Sequence, residues 1–241
     1  MIAFLTIFPV GKVSDDLSEF GSVWFLSPLV GAFIGILAGM VAWTLLRVMP
    51  SLVVGPLTIG LIVLITGAHH LDGLLDFGDA LMAHGTPERK FEVMHDKALG
   101  AGGFALGIFV PILTIASLVA INVNMVGQAI IVSELTAKLS MVSMTRFGRS
   151  AHEGTGSIVV NSMHEKNGNA KLLVAFIISL AIAGFVLGIA GVAATLTSIA
   201  SAIVITGISN NQFKGISGDV LGATNEISRM TSLLTILAAI G

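Results

Sequence analysis

No cysteine occurs anywhere in the 241 residues, which excludes a disulfide framework, thiolate chemistry and a thiolate metal site. Charge is scarce as well. Asp, Glu, Lys and Arg make up 11% of the chain, where soluble domains carry about 25%. So few charges could not cover the surface of a soluble chain of this size, which excludes an ordinary cytosolic enzyme and a disordered tail. A basic excess is also missing, since 12 Lys+Arg against 14 Asp+Glu leave a net charge of -2, and nucleic acid is not an expected partner. The start, MIAFLTIFPVGK, has no basic segment before its apolar stretch, so no cleaved signal peptide is expected there.

What the sequence has instead is apolar length. Hydrophobic residues reach 54% and the mean hydropathy is +0.96. A membrane helix needs about 20 mostly apolar residues, because the hydrocarbon core is about 30 Å thick and each residue rises 1.5 Å. Six stretches meet or approach that length, at roughly 26–48, 51–68, 103–121, 125–145, 171–189 and 191–208. They are continuous and lack period-2 alternation, so helix is expected over strand. The tail 231–241 is apolar but too short to cross alone, and it either forms a half-span or extends back into the polar segment before it. The fold class expected is all-α, a polytopic membrane bundle of about six to seven transmembrane helices in a single domain over 1–241, with the lipid bilayer as a partner. Gly31, Gly35 and Gly39, at spacing four, read as a close helix-packing stripe.

The connections alternate. Those around Met49-Pro50, Asn122–Asn124 and Gly191 are almost bare, whereas 69–102, 146–170 and 209–230 are long and polar. Lys12, Arg89, Lys90, Lys97, Arg146, Arg149, Lys166, Lys171, Lys214 and Arg229 fall on the polar-loop side, as do all 6 His; Arg47 falls on the other. The positive-inside rule then puts the long loops in the cytoplasm, in a multi-pass protein of the cell (inner) membrane. Chemistry kept at one end favours an enzyme over a transporter, whose ionisable groups more often sit at the midplane.

The loop after the second span reads Gly67-Ala-His-His-Leu-Asp72-Gly-Leu-Leu-Asp76-Phe-Gly-Asp79. Its aspartates are spaced i, i+4, i+7, which on a helix gives one carboxylate stripe. Such like charges repel unless a cation balances them, and oxygen-only ligands favour a hard ion, Mg²⁺ or Mn²⁺. The bland alternative, a solvated acidic helix end, is opposed by the apolar flank Leu71, Leu74, Leu75 and Phe77. Downstream, Asp96 can complete a metal site with Asp72, Asp76 and Asp79, while Glu92 equally suits a solvent-facing position. The glycines of Gly100-Ala-Gly-Gly103 either let backbone approach a phosphate or simply start the next span. Arg146 and Arg149 precede His152-Glu153-Gly154-Thr-Gly156 and suit a phosphate, or else serve as positive-inside anchors. Asp219 and Glu226, spaced i, i+7, share a helical face in the last loop, and Glu134 and Lys138, spaced i, i+4, read as an internal structural ion pair.

These segments resemble a known family. His70-Leu-Asp72-Gly73-Leu-Leu-Asp76-Phe-Gly-Asp79, Met94-His-Asp96-Lys-Ala-Leu-Gly100 and Gly215-Ile-Ser217-Gly218-Asp219-Val-Leu221-Gly222-Ala223-Thr-Asn-Glu226 are similar to the signature segments of the cobalamin synthase, or adenosylcobinamide-GDP ribazoletransferase, family. Phe4–Pro9, Phe25–Gly31 and Glu153-Gly154-Thr-Gly156 also fit, in the right order over nearly the whole chain. Departures are Glu134 in a span where the family often has an Arg, His95 where some members have Arg, and Ser217 in place of Thr.

The resemblance implies that a ribose hydroxyl of α-ribazole 5′-phosphate, or of α-ribazole, attacks the phosphorus bearing the cobinamide side chain of adenosylcobinamide-GDP. GMP leaves, and adenosylcobalamin 5′-phosphate forms. Phosphoryl transfer of this kind needs charge neutralisation on the pyrophosphate and a deprotonated alcohol. Asp72, Asp76, Asp79 and Asp96 would then hold Mg²⁺, the expected cofactor. His70 or an aspartate, with Asp96 and Asp219 as candidates, would take the proton. Arg146, Arg149, Gly154, Gly156 and Glu226 would bind substrate. The loops carrying Asp72 and Asp219 are expected to meet in one pocket. A CDP-alcohol phosphotransferase is the alternative, but Met82-Ala-His84 does not supply the Ala-Arg that it would need. A transporter is the weaker alternative, and a homo-oligomer is compatible with the sequence.

Overall fold

The computed structural model describes residues 1–9 and 17–240, and within them the chain is helical, with one isolated parallel bridge between Ser150 and Ile216. Lys12 lies outside the described residues, as does the final Gly241 of the apolar tail. In chain order the helices are α1 (Ile2–Leu5), α2 (Leu17–Ser22), α3 (Ser27–Leu45), α4 (Ser51–Ile65), α5 (His69–Met82), α6 (Pro87–Met94) and α7 (Ala101–Ala120). They continue with α8 (Val126–Phe147), α9 (Thr155–His164), α10 (Gly168–Leu187), α11 (Ile189–Gln212) and α12 (Gly218–Ile240). Each of the six apolar stretches expected from the sequence forms a helix.

The segment Trp24–Leu45, α7, α10 and α11 are long and apolar enough to cross a membrane. α4 is followed by a 96° bend into α5, so the two helices do not form one straight span. The protein is a polytopic helical membrane protein.

α8 and α12 have the length of a span but are too polar to pass as one by composition. They are the inner helices and bury their polar groups against each other. Glu134, Lys138, Asn225 and Arg229 are at most 1% exposed, and Glu226 is 5% exposed. Arg229 donates through Nε to Glu134 and through a second nitrogen to Glu226. Lys138 Nζ donates to Asn225 Oδ1 at 2.6 Å. The expected Glu134–Lys138 pair exists at 3.9 Å, but the nearer partners of both residues are on α12.

Small residues let these helices approach. The stripe on α3 packs on α8: a Cβ at Gly35 would stand 2.7 Å from Ile131 Cα, and one at Gly39 would stand 3.1 Å from Gly127 O.

The polar loops differ from the sequence expectation. The segment 209–230 is mostly helix, because α11 runs to Gln212 and α12 starts at Gly218, and Arg229 is a bundle-interior residue instead of a loop cation. The segment 69–102 folds into α5 and α6, and 146–170 contains α9. The apolar tail extends back into α12, the second of the two outcomes allowed by the sequence.

Candidate active site

At the end of the bundle where α5, α9 and α12 begin, a pocket of about 450 Å³ opens. Asp72 and His70 reach it from α5, Gly156 from α9, and Gly218, Asp219 and Gly222 from α12. The loops carrying Asp72 and Asp219 therefore meet, as expected. Glycine makes the approach possible. A Cβ at Gly73 would stand 2.7 Å from the Asp219 carbonyl oxygen, one at Gly222 would stand 3.1 Å from His70 Cα, and one at Gly156 would stand 3.1 Å from Gly218 N.

The carboxylates interact. Burial, together with the neighbouring Asp219 and Asp72, pushes Asp76 from the ordinary 3.8 up to about 6, with His95 opposing the rise. Asp219 is 29% exposed at its side chain, and its Oδ2 lies 3.8 Å from His95 Nε2. Among the described residues no group of three Asp, Glu or His is placed to hold a metal ion, so the expected site of Asp72, Asp76, Asp79 and Asp96 does not assemble. Mg²⁺ seldom needs an all-protein cage. It is commonly held by one or two carboxylates together with substrate phosphate oxygens, and Asp72 and Asp76, one turn apart on α5, are two such groups.

Other expected residues are engaged elsewhere. Asp79 accepts from Gly100 N and Gly103 N at 2.7 Å each, so both of its oxygens cap the start of α7. Asp96 is exposed and accepts from Ala98 N at 3.1 Å, a local turn. Glu226 is not among the pocket residues; both its oxygens are taken by Asn225 and Arg229. Arg149 donates to the carbonyls of Lys214 and Asn210, each at 3.1 Å, and so ties the segment before α9 to the end of α11 and the turn that follows it. Arg146 donates to Asn169 Oδ1 at 2.9 Å, away from the pocket. Gly154 is exposed at the start of α9, where its N–H donates to Ser157 Oγ at 3.1 Å. His70 is 6% exposed and its Nδ1 has no hydrogen-bond partner. Glu92 is solvent-facing and paired with Arg89 at 3.0 Å.

Two features lie beyond the sequence reading. His95 and His152 pack with Phe91 beside Asp219, with the two imidazoles perpendicular and their centroids 5.6 Å apart. Phe4 and Trp24 form part of the pocket wall. The Phe4–Pro9 resemblance was the sequence signal available for that wall.

The family model described as cobalamin-5-phosphate synthase matches residues 1–237. Relatives named adenosylcobinamide-GDP ribazoletransferase cover nearly the full length. The protein of Methanosarcina mazei is 32% identical over 251 residues, spanning 97% of this chain and 88% of its own. That of Methanocella arvoryzae is 36% identical over 245 residues, spanning 96% and 91%. That of Methanococcoides burtonii is 31% identical over 247 residues, spanning 98% and 90%. No solved structure gives a significant match.

Proposed function

Because this chain belongs to the cobalamin-5-phosphate synthase family, we propose that it joins adenosylcobinamide-GDP to α-ribazole, or its 5′-phosphate, to give adenosylcobalamin or its 5′-phosphate and GMP. The single observation that carries the siting is the pocket shared by Asp72 and Asp219, which lie far apart in sequence.

The ribose hydroxyl oxygen forms a bond to the phosphorus that carries the cobinamide side chain. The P–O bond to GMP breaks, GMP keeps the electron pair, and the hydroxyl proton passes to the enzyme. Asp219, which lines the pocket beside His95, would accept it. Asp72, which lines the pocket, and Asp76 one turn further along α5 would hold a divalent cation, which would supply charge neutralisation for the phosphoryl transfer. Asp79 positions α7 against α5 through its two backbone bonds. The starts of α9 and α12, with Gly156 and Gly218 at the pocket, present backbone close to the phosphates.

The pocket end faces the cytoplasm of the cell's inner membrane. Arg89, Lys90, Lys97, Arg146, Arg149, Lys166, Lys171 and Lys214 cluster at that end, while Arg47 sits at the other, stacked 3.8 Å over Trp43.

The test is GMP release from membranes given both substrates and Mg²⁺. Release should stop on chelation and recover with Mg²⁺, and Asp219→Ala should lower it by at least about tenfold, the scale of roughly 1.4 kcal/mol. An unchanged rate for the Ala variant at normal detergent-solubilised yield would remove Asp219 from the site.

A further inference from the structure

Aromatic residues are only 6% of this chain, yet two of them, Phe4 and Trp24, line one side of the pocket, joined behind it by Phe20. The Phe4 and Phe20 rings are 4.2 Å apart, and Phe20 and Trp24 are 5.5 Å apart with their rings near perpendicular. Trp24 is 1% exposed, and its indole N–H donates to Thr145 Oγ1 at 3.1 Å, which fixes the ring at the back of the wall. Phe4, at the front, is 42% exposed although it is apolar, and both Phe4 and Trp24 line the pocket. Asp72, Asp219 and His70 line it too. The cavity thus combines a fixed aromatic surface with carboxylates placed for phosphoryl chemistry.

Size decides what enters. A volume of about 450 Å³ suits a nucleoside-sized ligand. A corrin macrocycle with its amide side chains is far too large and must stay outside, which leaves the acceptor nucleoside and the donor's guanosine as the two ligands of fitting size. Stacking on an aromatic ring suits a planar heteroaromatic base, because any such base offers a π-face.

We propose that this pocket is the acceptor-nucleoside subsite, in which the planar base lies against the exposed ring of Phe4, with Trp24 behind it, and carries its ribose hydroxyl toward Asp72 and Asp219. The assignment rests on the transferase reading above and adds which of the two substrates is buried.

Trp24 provides a direct probe. The chain has 2 tryptophans, and Trp43 is the one beside Arg47 at the far end of the bundle, so Trp43→Phe leaves Trp24 as the sole emitter. The detergent-solubilised Trp43→Phe protein is titrated with α-ribazole in the absence of donor. A saturable change in Trp24 emission is expected. Phe4→Ala should weaken this binding by about tenfold and raise KM for α-ribazole by a similar factor, with KM for the donor unchanged. Phe4→Leu keeps apolar bulk without the π-face and should give a smaller loss in the same direction. A silent Trp24, or a Phe4→Ala variant that raises only the donor KM, overturns the assignment; the second result would place the guanine base here instead. If the parent protein binds α-ribazole but releases no GMP, the transferase reading fails and the base subsite stands. If GMP release is normal and insensitive to Phe4, the subsite fails and the transferase reading stands.

Discussion

Substituting Gly73 by alanine tests whether the close approach of α5 to α12 sets the chemistry. A Cβ there would meet Asp219 backbone, with O at 2.7 Å and Cα at 2.8 Å. Ordinary van der Waals contact begins at 3.4 Å, so restoring it requires the helices to part by 3.4 − 2.7 = 0.7 Å. The atoms are backbone, and no side-chain rotamer can relieve the clash. The displaced atoms belong to Asp219 itself, so the shift separates it from Asp72 and Asp76. A misplacement near 1 Å can cost about a hundredfold in rate, and we expect Gly73→Ala to lose between about tenfold and a hundredfold in GMP release. Gly60→Ala is the control: it lies inside α4 with nothing within 4 Å of its Cβ. Removing a helix-interior glycine there should be neutral or should stabilise by about 0.5–1 kcal/mol. The assay is GMP release at saturating substrates, with thermal unfolding in detergent measured on the same preparations. A Gly73→Ala protein with parental rate and unchanged melting would show that α5 and α12 can separate at no cost to the site, and the shared-pocket argument would fall.

Asp79→Ala should lower thermal stability by about 0.5–2 kcal/mol, the usual scale of a lost helix cap, and Asp79→Asn by less because one acceptor oxygen remains. Mn²⁺ affinity, read by electron paramagnetic resonance, should hold in both variants; a loss of affinity at unchanged stability would make Asp79 a metal ligand after all. Asp76 gives a pH signature. Its carboxyl is raised from 3.8 to about 6, so between about pH 4 and 6 the folded metal-free protein keeps a proton that the unfolded chain has released. Stability from this group is therefore present at low pH and falls as pH rises through that window. The melting temperature of metal-free protein minus that of Asp76→Asn should decline from pH 4 to 6 and level off above, and a flat difference would contradict the crowding of Asp76 by Asp219 and Asp72.

Four of the spans were legible in the sequence because run length alone identifies them. The expected spans 51–68 and 125–145 form helices that do not pass as single spans, α4 being short and bent by 96° into α5 and α8 being too polar. The helices inside the polar segments were not legible. α5, α6 and α9 are 14, 8 and 10 residues long, short enough for their polar content to read as loop. Spacing put Asp72, Asp76 and Asp79 on one stripe, and α5 does form there. Periodicity could not tell which carboxylate faces a ligand and which faces the amides of another helix, because that depends on where α7 begins. The same holds for Arg149 and Glu226, whose polar character was plain but whose partners lie on segments distant in sequence or inside a buried network. The aromatic wall was legible only at Phe4, through the Phe4–Pro9 resemblance, because Trp24 sits among many apolar residues and only tertiary packing lines the two up on a cavity.

Arg229 shows what a polar residue in an apolar chain can signal when it is not at the site. Counted by position it looked like one more loop cation. In the fold it is 1% exposed and bonded to Glu134 on α8 and Glu226 on its own helix. Asp219, Gly222, Glu226 and Arg229 follow i, i+3, i+7, i+10, one stripe of α12. The outer end of that stripe offers a carboxylate to the pocket, Gly222 lets α12 press on His70, and the inner end is bonded to α8. Rotating α12 to turn Asp219 away would also pull Arg229 from Glu134 and leave charges unpaired in the interior, a loss of about 3–5 kcal/mol for a buried pair. Two apolar helices can slide or roll over one another at little cost, whereas a buried charge pair admits one register. The polar interior of the bundle therefore does for the orientation of Asp219 what apolar packing alone could not.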